Sequence, residues 1–259
     1  AGGYLSAHAG RGTFVTGTSD STRQRATRAS NGHAHRLHQQ IPTALSFDHS
    51  LREMMRIARK PGVINFGHGA PPLEFFPVQH LRDAINYALD RDGSKAVTYE
   101  APEGYYPLRI AVRDYVSALG IQCSADDVLI TGGTQQALDL VVQSLIGPGD
   151  VLVTEAPTYL GILDLARTRH NQIIGIPMTE EGIRLDVLEN VLIEHPVRLI
   201  YVMPTFQNPT GTVMPLHRRR QLLALAAEYK VPVLEDGVYH ELRYEGETIP
   251  PLKALDEHG

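Results

Sequence analysis

Glu235 and Asp236 end an apolar run, Val231 to Leu234, where a buried carboxylate is costly unless a cation or hydrogen-bond donors meet it. A cation on a ligand would explain such a position, and the Tyr239 phenol follows three residues on. Asn208 lies in Gln207-Asn208-Pro209-Thr210-Gly211, a polar turn that stops a second apolar run. Gly132-Gly133-Thr134-Gln135 opens a helical pattern. Free N–H groups and the helix dipole there suit an anion, and the glycines let a phosphate approach closely. Alone, the same stretch reads as a plain strand-to-helix turn capped by Thr134. Tyr159, in Ala156-Pro157-Thr158-Tyr159, offers a ring to lay over a flat ligand, although one tyrosine at a helix start equally serves packing. Together these are a phosphate cradle, a stacking ring, a side-chain amide, a carboxylate and a phenol. They suit a phosphorylated, planar, nitrogen-containing aromatic.

The elements that must position these residues alternate. Strands are predicted at 127–131, 150–155, 172–177, 198–204 and 231–236, and helices at 134–146, 158–169, 185–195 and 216–230. The strands are continuous apolar runs, as expected where both faces of a sheet are covered. The predicted fold class is therefore α/β, a doubly wound, mostly parallel sheet. In such a fold ligands bind beyond the carboxyl ends of the strands, which is where the candidate residues fall. Upstream, helical patterns cover 50–60, 77–91 and 107–119, and residues 63–72 read as a strand broken by Gly and Pro.

Residues 1–15 predict a β-hairpin around Gly10-Arg11-Gly12, too small to be stable alone. Residues 16–40 predict a flexible basic linker with Arg23, Arg25, Arg28 and Arg36. Its His33, His35 and His38 read as solvated rather than as metal ligands, and no metal site is expected. The globular pattern occupies 41–259. A net charge of −5 argues against a chain-wide nucleic-acid surface. With 42% hydrophobic residues and no apolar run long enough to span a bilayer, no membrane segment is expected. The single cysteine, Cys123, fits a reducing cytoplasm and reads as an inert buried thiol.

The stretches GGTQQAL, EAPTYLG, PTFQNPTG and LEDGVYHELRY, with FGHGAPPLEFFP and VTYEAPEGYYPLR upstream, occur in an order and spacing that resemble the fold-type I, pyridoxal 5′-phosphate-dependent aminotransferases. The resemblance implies that Gly133, Thr134 and Gln135 hold the cofactor phosphate and that Tyr159 stacks on its ring. It implies that Asn208 and Tyr239 bond the ring's 3′-oxygen and that Asp236 pairs with the protonated pyridine nitrogen, making Asp236 and Tyr159 the catalytic candidates. Tyr99 is implied to reach the phosphate of a partner subunit in a homodimer, and Gly69 to lie by the carboxylate of an amino acid or 2-oxo acid substrate.

The family's Schiff-base lysine has no counterpart at Lys60, Lys95, Lys230 or Lys253, and by resemblance it is expected shortly beyond Gly259. The chain is thus expected to be truncated at both ends. GYLSAHAGRGTFV is similar to the wing of a GntR-type winged helix, and a winged helix, basic linker and aminotransferase-like domain in series is the MocR-type regulator architecture. DNA contact would then run through a winged helix absent from this chain. The alternative is an aminotransferase of the 2-aminoadipate or aromatic type. The three-residue step from Asp236 to Tyr239 favours it, since many of the regulators have a shorter one.

Overall fold

The computed structural model describes residues 5–8, 12–15, 56–57, 60, 62–64, 69 and 71–257. The predicted linker, its histidines and most of the helix expected at 50–60 lie outside the described residues. The chain forms two compact units, Ala1–Phe76 and Pro77–Gly259.

In the first unit the expected hairpin forms. Strands β1 (Leu5–His8) and β2 (Gly12–Val15) pair antiparallel, with Leu5 opposite Val15 and His8 opposite Gly12.

The second unit carries helices α1 (Val78–Asp92), α2 (Tyr106–Ala118) and α3 (Thr134–Leu145). Then β3 (Val151–Ala156), α4 (Leu160–Thr168), β4 (Gln172–Thr179), β5 (Gly182–Ile183) and α5 (Leu185–Glu194) follow. The unit closes with β6 (Val197–Val202), α6 (Leu216–Tyr229), β7 (Val233–Glu235) and the single turn α7 (Leu252–Leu255). The sheet order is β5-β4-β3-β6-β7. β4, β3, β6 and β7 run parallel, and β5 is an antiparallel edge.

Successive side chains of a strand point to opposite faces, so each strand feeds two cores. Val151, Val153, Ile200 and Val202 pack with Leu188 and Leu192 of α5 and Leu222 and Ala226 of α6. Leu152, Leu199 and Tyr201 pack on the other face with Leu138 and Val142 of α3 and Ile162 and Ala166 of α4. The helices therefore cover both faces, as the unbroken apolar runs require.

One expected element needs correction, and one element was not expected. Residues 127–131 do not form a strand. The Ser124 hydroxyl accepts from Asp126 N, and the Asp127 carboxylate accepts from Ser124 N at 2.8 Å, which winds Ala125–Asp127 into a turn. Beyond it, Ile130 N donates to Glu103 O, and no strand among the described residues lies alongside. Conversely, β5 was not expected. Gly182, at φ +98°, turns the chain back so that Thr179 and Gly182 pair.

Candidate active site

β3 leads through α4 to β4 on one side, and β6 leads through α6 to β7 on the other. The crevice between the carboxyl ends of β3 and β6 is thus the topological switch point, the place where doubly wound sheets hold ligands. Tyr159 follows β3, Asn208 follows β6 and Asp236 follows β7, so all three fall on this rim.

Asp236 is 5% exposed. Its Oδ2 accepts from the Tyr201 hydroxyl at 2.9 Å and its Oδ1 from Val238 N at 3.2 Å. Among the described residues it is in no ion pair. Tyr201 is wholly buried, and burial first, then the negative charge of Asp236, holds its proton firmly.

Tyr159 is the residue before α4, and its hydroxyl donates to Gln135 Oε1 at 3.1 Å. Gln135 in turn donates to Gly161 O at 3.1 Å. Burial raises the Tyr159 phenol, and the charge of Asp236 adds to the effect. A Cβ on Gly161 would lie 2.3 Å from the Tyr159 ring and 2.4 Å from Gln135 Oε1, so only glycine permits this packing. Asn208 Nδ2 donates to the Tyr239 hydroxyl at 3.4 Å, and the Asn208–Pro209 peptide is cis.

Gly133 precedes α3 at φ +139°, a backbone region that L side chains rarely adopt. No side chain caps the helix, so the Thr134-capped alternative does not hold. Gly132 N is taken by Gln136 Oε1 and the Gln136 and Ala137 amides by Gly133 O, whereas none of the described bonds takes the Gly133, Thr134 or Gln135 amides. Gly133, Thr134 and Gln135 are exposed.

Tyr99 is fully exposed, apart from this cluster, and Gly69 belongs to the other unit. Lys95 and Lys230 are exposed, and Lys253 Nζ pairs with Asp256 at 2.9 Å. No described lysine side-chain bond reaches Asp236, Asn208 or Tyr239. Cys123 is half-buried.

The sequence reading missed Tyr201, Gly161, Gln207 and Glu155. Gln207 carried a signal in its place in the same turn as Asn208, and Glu155 carried the one that marks Asp236, a carboxylate at the end of an apolar run. Tyr201 and Gly161 sit inside an apolar and a helical run, where type and spacing give nothing away.

Fold and rim define a doubly wound α/β protein with its candidate residues at the switch point. Residues 61–258 match the family aminotransferase class I and II, and the chain belongs to that family, which is pyridoxal-phosphate-dependent. The chain is similar to aromatic-amino-acid aminotransferase 1 of Thermococcus litoralis, 38% identical over 81% of this chain and 52% of that protein. It is also similar to the probable rhizopine catabolism regulatory protein MocR of Rhizobium meliloti, 27% identical over 99% of this chain and 50% of that one. Among solved structures, Pyrococcus horikoshii kynurenine aminotransferase in complex with PMP superposes with a TM-score of 0.76 at 38% identity, over 81% of this chain and 53% of that one. The chain thus spans about half the length of the curated relatives it matches.

Proposed function

We propose that this chain is the pyridoxal 5′-phosphate-binding, aminotransferase-like part of a GntR/MocR-type transcription regulator. The observation that carries the cofactor is Asp236, a buried carboxylate outside every described ion pair whose two oxygens are each fixed by one donor. A protonated pyridine nitrogen is the cation such a carboxylate lacks.

The rest of the rim fits the same group. The open amides at Gly133, Thr134 and Gln135 suit its phosphate, with the helix dipole of α3 behind them. Tyr159, given room by Gly161, covers the ring. Asn208 and Tyr239 present an amide and a phenol to the 3′-oxygen. When bound, the cofactor supplies an electron sink for the substrate's α-carbon. Asp236 holds the proton on the ring nitrogen, and Tyr201 keeps Asp236 oriented. Tyr99 reaches the phosphate in the second copy of a homodimer, and the substrate is an amino acid or 2-oxo acid.

The regulator reading is supported by the paired β1–β2 hairpin and by the similarity to MocR, which runs through the hairpin and the segment after it. Binding of a small amino compound would then shift an equilibrium felt by a DNA-binding winged helix. A cytoplasmic location goes with that reading. The second reading, an aminotransferase of the 2-aminoadipate or aromatic type, is favoured by the three-residue step from Asp236 to Tyr239 and by the 38% identity to an aromatic-amino-acid aminotransferase.

Titration of the 259-residue chain with pyridoxal phosphate, followed by absorbance, tests the cofactor site. We expect saturable binding, weakened about 10–100-fold by Asp236→Ala, the loss of one charge-assisted contact. Equal affinity in the two proteins would remove Asp236 from the site. In the complete protein, amino-group transfer to a 2-oxo acid without DNA binding would favour the second reading.

A further inference from the structure

Glu155, at the carboxyl end of β3, is a buried acid that the proposed site does not use. It is 1% exposed. Its Oε2 accepts from Met203 N at 3.2 Å and from Gln207 Nε2 at 3.1 Å, while its Oε1 has no partner. No described ion pair includes it.

Gln207, 2% exposed, uses its whole side-chain capacity. Nε2 donates to Glu155 and, at 2.8 Å, to Pro157 O. Oε1 accepts from Thr210 N at 2.9 Å and from Thr210 Oγ1 at 2.7 Å. Because Pro157 O can only accept, the amide orientation is forced. Glu155 Oε2 is therefore an acceptor, and any proton on this carboxyl sits on Oε1. The backbone of Gln207 also closes the turn, with its N–H to Thr212 O and its carbonyl taking Gly211 N. Asn208 is the next residue. One amide thus ties the end of β3 to the turn that presents Asn208 to Tyr239.

We propose that Glu155 is a positioning residue that, as the neutral acid, latches the 207–212 turn through Gln207 and so sets Asn208 against the ligand ring. The ring contact rests on the function proposed above; the latch itself does not. A charge at Glu155 would strengthen the bonds from Gln207 and Met203, but with one bare oxygen it would demand solvation that the packed strand end cannot give, and this larger cost favours opening of the contact with the turn. Burial pushes the carboxyl up to about 7 against the pull of its two donors, so the proton is held below that pH and lost above it. Tyr201 of β6 feels the charge of Glu155 but points to the other face of the sheet and stays neutral. Gln207 and the Met203 amide do not titrate.

Hydrogen exchange of the Thr210 to Thr212 amides in the 259-residue chain tests the latch, with rates corrected for intrinsic exchange. Protection should fall about tenfold between about pH 6 and about pH 8.5, the scale of one lost hydrogen bond. In Glu155→Gln, which keeps an acceptor and cannot ionise, it should stay flat. Coincident profiles for the two proteins would overturn the proposal, whether or not Glu155→Ala folds. Affinity for pyridoxamine 5′-phosphate should follow the same profiles. A turn that responds while affinity does not would uphold the latch and remove Asn208 from the ring contact.

Discussion

Gly161 carries more of the site than its type suggests. It is the second residue of α4, where alanine is the better helix former. Yet a methyl there would sit 2.3 Å from the Tyr159 ring and 2.4 Å from Gln135 Oε1. Gly161→Ala must therefore move the ring, the amide or both. We expect pyridoxal phosphate affinity to drop at least tenfold, while urea unfolding shows a loss of about 1–3 kcal/mol, the usual cost of overpacking. Unchanged affinity would mean that Tyr159 does not cover the ring. Asp236, Asn208 and the Gly133 turn were legible in the sequence because each is a polar or conformational exception at the end of a run. Glu155 bears the same mark, at the end of the run from Val151; Gly161 and Tyr201 bear none. A glycine in a helix and a tyrosine in a strand gain their meaning from neighbours elsewhere in the chain, and one sequence does not display those contacts.

Among the elements, α6 is held by a single charge. Arg219 is wholly buried, and burial lowers its proton affinity despite the nearby Glu235. Its guanidinium donates to Met214 O, Pro250 O, Pro204 O and Thr205 Oγ1, all within 2.9 Å. These acceptors lie at the two ends of the β6–α6 connection and just before α7, so one planar fork joins two connections. A lysine has three donors on one atom and cannot span them. Arg219→Lys should cost about 2–4 kcal/mol in urea unfolding, because buried carbonyls lose their partners. A loss under about 0.5 kcal/mol, typical of a surface change, would show that water replaces the fork. The elements themselves followed closely from apolar runs and helical periodicity. The exceptions were those that such patterns cannot decide. Residues 127–131 have a strand's composition, but a strand exists only by pairing, and the Ser124–Asp127 turn and Glu103 take up this backbone instead. The two-residue β5 is too short to show a period.

Across both units, much apolar surface has no cover among the described residues. α1 buries no residue, and Val78, Leu81, Ile85 and Leu89 are all exposed along it. Tyr99 is 100% exposed. Isolated exposed leucines are ordinary, but a row of them on one helix marks an interaction face. A two-fold dimer would use such a surface twice and would let each Tyr99 complete the other copy's phosphate site. This arrangement has a consequence that a monomeric site lacks. The Tyr99→Ala and Asp236→Ala chains should each bind pyridoxal phosphate poorly. Mixed and allowed to exchange subunits, they should form heterodimers in which one site carries both defects and the other carries none. With random pairing of equal amounts, about one site in four regains full affinity. Absorbance titration of the mixture reads that fraction directly, and sedimentation reports the assembly. If mixing restores no binding although dimers exchange, Tyr99 acts within its own chain or not at all. If the cofactor-saturated chain sediments as a monomer, the site is complete in one copy, and the exposed row on α1 must have another partner.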